Sequence, residues 1–226
     1  MGTLTIPGGF IRREPLDSSK LRENPEVVNL FIRANWMSLF DKIQGHDEEI
    51  SKEFLMSLRP QSKTQTIVSF RGLTLELTPE LMSRVTGLPL GIPWRKEERT
   101  LGQAAKKTFF LPEKHPIEDK NEVRRGNLPP LWGEVNLQIM KYIVCEGRFN
   151  IIYGYHFRLL CELRHGIDLP PEKKLRIPYF LLHSLIECGT KLKEGTPDQL
   201  AHQGLIKLLV EETLHTYIVP LSWEIF

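Results

Sequence analysis

The chain has 226 residues, of which 41% are hydrophobic and 26% charged, and its formal net charge is +2. These values are typical of a globular protein with one large core or two small ones. Basic and acidic residues are interleaved, which excludes a highly basic tail and a strong uniform field toward nucleic acid or anionic lipid.

The first elements are an arm and a helix. Residues 1–23 contain scattered prolines, glycines and charges, which predict a loose, flexible N-terminal arm. Asn24 then offers a helix cap, Pro25 a first-turn proline, and Gly45 a stop. Between them the apolar residues at helical spacing are Val28, Ile32, Trp36, Leu39 and Ile43. This pattern predicts one amphipathic helix.

A second helix and a hairpin are expected next. Asp47, Glu48 and Glu49 favour a helix start, and Pro60 is expected to end that helix. Alternating residues from Ile67 to Phe70 and from Leu73 to Leu77 predict two strands, with Arg71 and Gly72 forming a tight turn between them. No other segment predicts β-structure. Thr78, Pro79 and Gly87 then mark the start and end of a short helix.

The segment 89–131 is rich in proline and charge, and it predicts a long, partly mobile connection between a lobe at 24–88 and a helical lobe at 132–226. The alternative is a single domain over 24–226. Four helices are expected in the second lobe. Their markers are Val135 to Gly147, Tyr153 to Gly166, Pro178 to Gly189, and a capping box at Thr196 to Gln199 followed by Leu200, Leu205, Leu208 and Leu209. The expected fold is a mainly α bundle of about seven helices with one small β-hairpin.

The cysteines and the hydropathy pattern bear on the compartment. Three cysteines are too few and too widely spaced for the disulfide framework of a small secreted domain. No window approaches the roughly 18 apolar residues of a membrane span, and residues 1–13 lack the apolar run of a signal peptide. We therefore expect an intracellular protein of the nucleus or cytoplasm.

Catalytic and metal signatures are weak throughout. Thiolates and imidazoles are preferred zinc ligands, so the candidates are Cys161, His165, His183 and Cys188. His183 and Cys188 are five residues apart and diverge by roughly 140° on a helix, which argues against convergence of the two pairs. Core packing is the competing interpretation, and a thiol nucleophile at Cys161 or Cys188 is a further alternative. No glycine-rich phosphate loop is present, and we expect no cofactor and no enzymatic activity.

Nucleic-acid binding is the alternative function that the residues suggest. Basic doublets meet phosphates and aromatic rings stack on bases, and the connection carries both. The candidate residues are Arg95, Lys96, Lys106, Lys107, Arg124 and Arg125, with Trp94, Phe109 and Phe110 beside them. Nine Lys and Arg against six Asp and Glu over 91–130 give this segment a net charge of +3, which is also compatible with a solvated loop.

The run from Ser69 to Leu81, followed by Thr86 to Pro89, resembles the signature of the plant transposon protein domain. That family shows an Arg-Gly hairpin, a Ser/Thr-Pro-Glu helix start and a Gly-Leu-Pro stop, and the related plant mobile domain shares the last feature. The resemblance extends over about 30–215. It implies a protein of mobile-element origin, either element-encoded or adopted by a host, and it carries no catalytic residue over. The leading hypothesis is thus a non-enzymatic helical module acting through a protein partner or self-association.

Overall fold

The computed structural model describes residues 18–43, 45, 47–62, 64–90, 109–111, 122–145, 150–165, 177–195 and 202–218. Its helices are α1 Ser18–Arg22, α2 Pro25–Arg33, α3 Met37–Lys42, α4 Glu48–Ser57, α5 Pro79–Thr86, α6 Pro130–Ile139, α7 Gly154–His165, α8 Ile177–Lys193 and α9 Gln203–Ile218. Its strands are β1 Leu58–Ser62, β2 Gln65–Phe70, β3 Leu73–Leu77, β4 Glu122–Arg124 and β5 Ile151–Tyr153.

The mainly helical class is confirmed, but the prediction of a single β-hairpin is wrong. The described residues form an antiparallel three-stranded sheet in the order β1-β2-β3 and an antiparallel pair of β4 and β5. Alternation of apolar and polar residues did not predict β1 or the β4–β5 pair, and the reason is physical. In β1 only Leu58 is buried and Pro60 interrupts the pattern, as is usual for an edge strand, while β4 and β5 are too short to show a period.

The N-terminal region differs from its prediction in two places. Ser18–Arg22, expected in the loose arm, is a short helix whose Leu21 is buried, while residues 1–17 lie outside the described part. The single helix expected over 24–45 is two helices, because the chain turns at Asn35, whose φ is +59°. The cap at Asn24 is as predicted, with Oδ1 accepting from the Val27 N–H at 3.3 Å.

The break between α2 and α3 is a Schellman motif. The Trp36 N–H donates to the Phe31 carbonyl at 2.9 Å and the Asn35 N–H to the Ile32 carbonyl at 3.0 Å. The rings of Phe31 and Trp36 stack at 6.2 Å, which supplies the apolar contact that accompanies this motif. Asn tolerates the left-handed conformation better than most residues, so it can end a helix as Gly does.

The β2–β3 hairpin and the helix that follows it, α5, agree with the prediction. Arg71 and Gly72 have φ of +48° and +84°, as the two central residues of a tight primed turn require. Thr78 Oγ1 accepts from the Leu81 N–H at 3.3 Å, and Gly87, with φ of +75°, ends α5. Helix α4 begins in the acidic run where its start was predicted, with Asp47 as its N-cap, and it ends at Ser57, before Pro60, which belongs to β1.

Part of the predicted connection 89–131 is built into the fold. Phe109 and Phe110 are buried, and the Leu111 N–H donates to the Asn127 carbonyl at 3.0 Å. Residues 122–124 pair with β5, and a 3-10 turn at Arg125–Asn127 leads into α6. Residues 91–108 and 112–121 lie outside the described part.

Helix α6 continues into a π-helical turn, Met140–Val144, that ends at Cys145 in the left-handed conformation. The Cys145 N–H donates to the Met140 carbonyl at 2.8 Å. The predicted inward face is confirmed, since Val135, Ile139, Met140 and Ile143 are all buried. The predicted stop, Gly147, lies outside the described part.

Helix α8 runs past Gly189, where its end was predicted, to Lys193. A Cβ at Gly189 would lie 2.7 Å from Leu58 Cδ1 and 2.9 Å from the Leu55 carbonyl oxygen. Glycine is therefore present because the end of α4 packs directly against the α8 backbone. Lys193 Nζ donates to the Leu58 carbonyl at the same contact.

The predicted capping box of the last helix, 196–199, lies outside the described part, and α9 begins only at Gln203. His202, which immediately precedes α9, has a φ of +60°. The expected inward residues Leu205, Leu208 and Leu209 are buried. The His202 ring and the Ser184 hydroxyl share a buried hydrogen bond of 2.9 Å that ties the start of α9 to α8.

The buried apolar side chains from Leu21 to Val210, apart from Met140 and Cys145, belong to one hydrophobic cluster. Helix α8 joins the N-terminal and C-terminal parts of this cluster, because it contacts α4, α5 and β1 as well as the π-helical turn Met140–Val144. No helix in the described ranges has the length and apolarity needed to cross a membrane.

Candidate functional site

The candidate site is a surface groove between the α2–α3 break and the C-terminal end of α5. We call it the α3–α5 groove. Its volume is about 590 Å³, within the usual range for ligand pockets. It is lined by Ile32, Asn35, Met37, Ser38, Ser83, Arg84, Gly87, Leu88 and Pro89.

The helix break creates one wall of the groove. Helix α2 turns Val27 and Phe31 toward the core, so Ile32, the residue after Phe31, faces outward at the end of the helix. Ile32 is 54% exposed, which makes it the most exposed large apolar side chain in the described part of the chain. An exposed apolar side chain at the rim of a groove offers area that a partner can bury.

Gly87 fixes how closely α3 and α5 approach. A Cβ at this position would lie 2.8 Å from Ser38 Oγ and 3.1 Å from Ser38 Cβ, so a side chain here would force Ser38 to shift. The backbone around Gly87 is held by hydrogen bonds: Ser83 Oγ donates to the Leu88 carbonyl at 2.5 Å, and Lys42 Nζ donates to the Val85 carbonyl at 2.7 Å. The groove is therefore pre-formed.

The chemistry of the lining suits binding rather than catalysis. The described lining residues include no Asp, Glu, His or Cys, so they offer no general acid, general base or thiol. Arg84 is exposed and is the one charged residue among them. The groove thus combines an apolar surface with a single positive charge.

The proposed zinc ligands are not brought together in the described structure. No group of three or more His, Cys, Asp or Glu able to hold a metal ion occurs among the described residues. Cys161 and Cys188 pack against the hydrophobic core. His183 Nδ1 lies 3.9 Å from Glu187 Oε1, one helical turn away on α8. The side chain of His165 is outside the described part.

The Cys161 thiol does not have the surroundings of a nucleophile. Burial raises the pKa of Cys161, and the nearby positive charge of Arg164 only partly opposes that effect. A reactive cysteine needs a lowered pKa, because the thiolate is the nucleophile.

The residues proposed for nucleic-acid binding fall into three groups by their location. Trp94, Arg95, Lys96, Lys106 and Lys107 lie outside the described residues. Phe109 and Phe110 are buried, where their rings contact Trp132 and Phe157, so neither can stack on a base. Arg124 is exposed, whereas Arg125 is partly buried beside the first turn of α6.

Sequence reasoning missed the two residues that shape the groove. Asn35 was treated as an interior helix residue, although Asn followed by an aromatic residue can read as a helix end. Ile32 was assigned to the apolar face because of its helical spacing from Val28 and Trp36, whereas α2 buries Val27 and Phe31. The chain matches no known protein family, and neither the curated proteins nor the solved structures include one with significant similarity to it.

Proposed function

We propose that this chain is a non-enzymatic interaction module that binds a partner protein in the α3–α5 groove. The observation that carries the proposal is the groove itself, with Ile32 exposed at its rim and a pre-formed floor at Gly87. A pre-formed groove loses little conformational entropy on binding, so buried apolar area converts into affinity more efficiently.

The occupant we propose is an apolar segment of a partner protein that carries a carboxylate. Ile32, Met37, Leu88 and Pro89 supply the apolar surface. Arg84 supplies a positive charge that an Asp or Glu side chain complements, and an Arg-carboxylate pair can be bidentate. A basic segment would meet this charge unfavourably.

The test begins with peptides selected on the full-length chain from a random-peptide phage library. We expect the selected peptides to combine apolar residues with Asp or Glu. Ile32→Lys and Arg84→Glu should each weaken their binding by about tenfold or more, since apolar anchors and charge pairs at an interface contribute about 1–3 kcal/mol. Isothermal titration calorimetry measures the change.

The matched control is Met56→Lys, because Met56 is another exposed apolar side chain and lies on α4. It should bind the peptides like the unchanged chain. Failure to select peptides, or equal weakening by Met56→Lys, would contradict the proposal. Sedimentation velocity separates the remaining case: a dimer abolished by Ile32→Lys would make the occupant a second copy of the chain.

We also propose that the module descends from a mobile element, on the strength of the motif from Ser69 to Pro89. The genomic flanks of the gene test this. Terminal repeats, or adjoining capsid-like or protease reading frames, would support the descent. A locus without such remnants in all relatives that carry the motif would contradict it.

A further inference from the structure

A cluster of arginine and aromatic side chains lies at the first turn of α6, and none of its residues lines the α3–α5 groove. We call it the α6 arginine cluster, and it consists of Arg124, Arg125, Trp132 and Arg164. The Arg164 guanidinium carbon lies 5.9 Å from the centre of the Trp132 ring and 5.5 Å from that of Phe109. Such distances are those of cation–π contacts.

Arg125 approaches the same turn from the neighbouring side. Its Cγ lies 3.6 Å from the position of a Cβ at Gly133, the residue that follows Trp132. Arg125 and Arg164 therefore both reach the first turn of α6, at the neighbouring residues Gly133 and Trp132. Arg124 precedes Arg125 in the chain and is exposed.

The Arg125 guanidinium has an unmet hydrogen bond. Within the described structure its Nη1 is buried and has no hydrogen-bond partner. A buried cationic donor without an acceptor is costly, and an anion placed there would remove the cost. This atom is the observation that distinguishes the cluster from an ordinary basic surface.

The N-terminus of α6 also favours an anion at this position. No side chain caps this ten-residue helix, and its first turn contains no acidic residue. Its Leu131 and Trp132 N–H groups therefore have no acceptor within the helix or from a cap, and the helix dipole favours negative charge at this end. Glu134, the nearest carboxylate along the helix, is engaged by Gln138 at 2.5 Å.

We propose that the α6 arginine cluster binds a backbone phosphate of single-stranded nucleic acid. Arg125 and Arg164 contact the phosphate, and the partly exposed Trp132 stacks on an adjacent base. Pairing of arginines with an aromatic platform is how single strands are held without sequence preference. This inference is independent of the groove and uses a different surface.

The test uses fluorescence anisotropy of a labelled single-stranded oligonucleotide with the full-length chain. Arg164→Gln and Arg125→Met should each weaken binding about tenfold, as expected for loss of a hydrogen bond to a charged group. Each should also reduce the slope of log K against log salt by about 0.7. The control Arg59→Gln makes the same charge change on the exposed β1 strand and should leave affinity unchanged.

A stability measurement separates binding from a structural role. Arg125→Met keeps the aliphatic packing on Gly133 but removes the buried donor, so the free protein should melt at the same or a higher temperature while binding weakens about tenfold. A lower melting temperature together with unchanged affinity would overturn the inference, as would equal weakening by Arg59→Gln. Inorganic phosphate is the second probe: if it binds and the oligonucleotide does not, the assignment to nucleic acid is wrong.

Discussion

His156 shows how one buried side chain makes stability depend on pH. Burial lowers the pKa of His156 from 6.5 to about 3. The unfolded chain then binds a proton that the folded chain does not bind between these two values. The contribution of neutral His156 to stability is therefore complete above pH 6.5 and is lost progressively as the pH falls toward 3.

We predict that the chain loses about 1.4 kcal/mol of unfolding free energy per pH unit below pH 6.5 on account of this residue. Urea unfolding at pH 7.5, 5.5 and 4.5 measures the loss. His156→Gln should unfold with a flatter pH dependence, whereas His183→Gln, on the more exposed α8 pair with Glu187, should keep the original slope. Identical slopes for His156→Gln and the unchanged chain would contradict the prediction.

Asn35 and Gly189 explain where prediction at the scale of elements succeeded and failed. Local signals located the caps at Asn24 and Thr78, because each depends on a hydrogen bond within three residues. Gly189 was misread as a helix end, since the reason for glycine there is a contact with Leu55 and Leu58, far away in the chain. No local pattern contains that contact.

The candidate site was less accessible to sequence reasoning than the fold. The groove lies where Asn35 adopts the left-handed conformation and ends α2, and α2 buries Val27 and Phe31 rather than the predicted Ile32, which is exposed. Cation–π contacts of Arg164 likewise join α7 to Trp132 on α6 and to Phe109. Both surfaces are products of tertiary packing, so only the presence of basic and aromatic residues around 124–132 was visible beforehand.

The packing of α8 against α4 leads to a prediction with a matched pair of glycines. Gly189→Ala should lower the unfolding free energy by about 1–2 kcal/mol, because overpacking outweighs the gain in helix propensity. Gly133→Ala in α6 should raise it by up to about 1 kcal/mol, since its Cβ would meet only ordinary contacts of 3.6 Å or more. Chemical denaturation of both variants gives the comparison. A stabilised Gly189→Ala would show that the contact is not tight.

At the scale of the whole molecule, the continuous core predicts cooperative unfolding. Phe109 is fully buried and its ring lies 4.9 Å from that of Trp132, so Phe109→Ala should cost about 3–5 kcal/mol. Because Trp36 belongs to the cluster and Trp132 packs against it, we expect both to lose native structure at the same, lowered denaturant concentration.

Fluorine NMR of protein labelled with 5-fluorotryptophan follows the two positions separately. Met56→Ala is the control, because Met56 is exposed, and it should leave both transitions in place. A shift confined to Trp132 in Phe109→Ala, with Trp36 unaffected, would show instead that the N-terminal part unfolds as its own unit.

The position of α8 late in the chain has a consequence for synthesis. Lys193 and the Leu58 carbonyl that it contacts are separated by 135 residues. A ribosome adding about 5–20 residues per second needs roughly 7 to 27 s to cover that distance. During this interval Leu55 and Leu58 lack the helix that buries them, so the nascent chain presents an apolar surface to chaperones until α8 emerges.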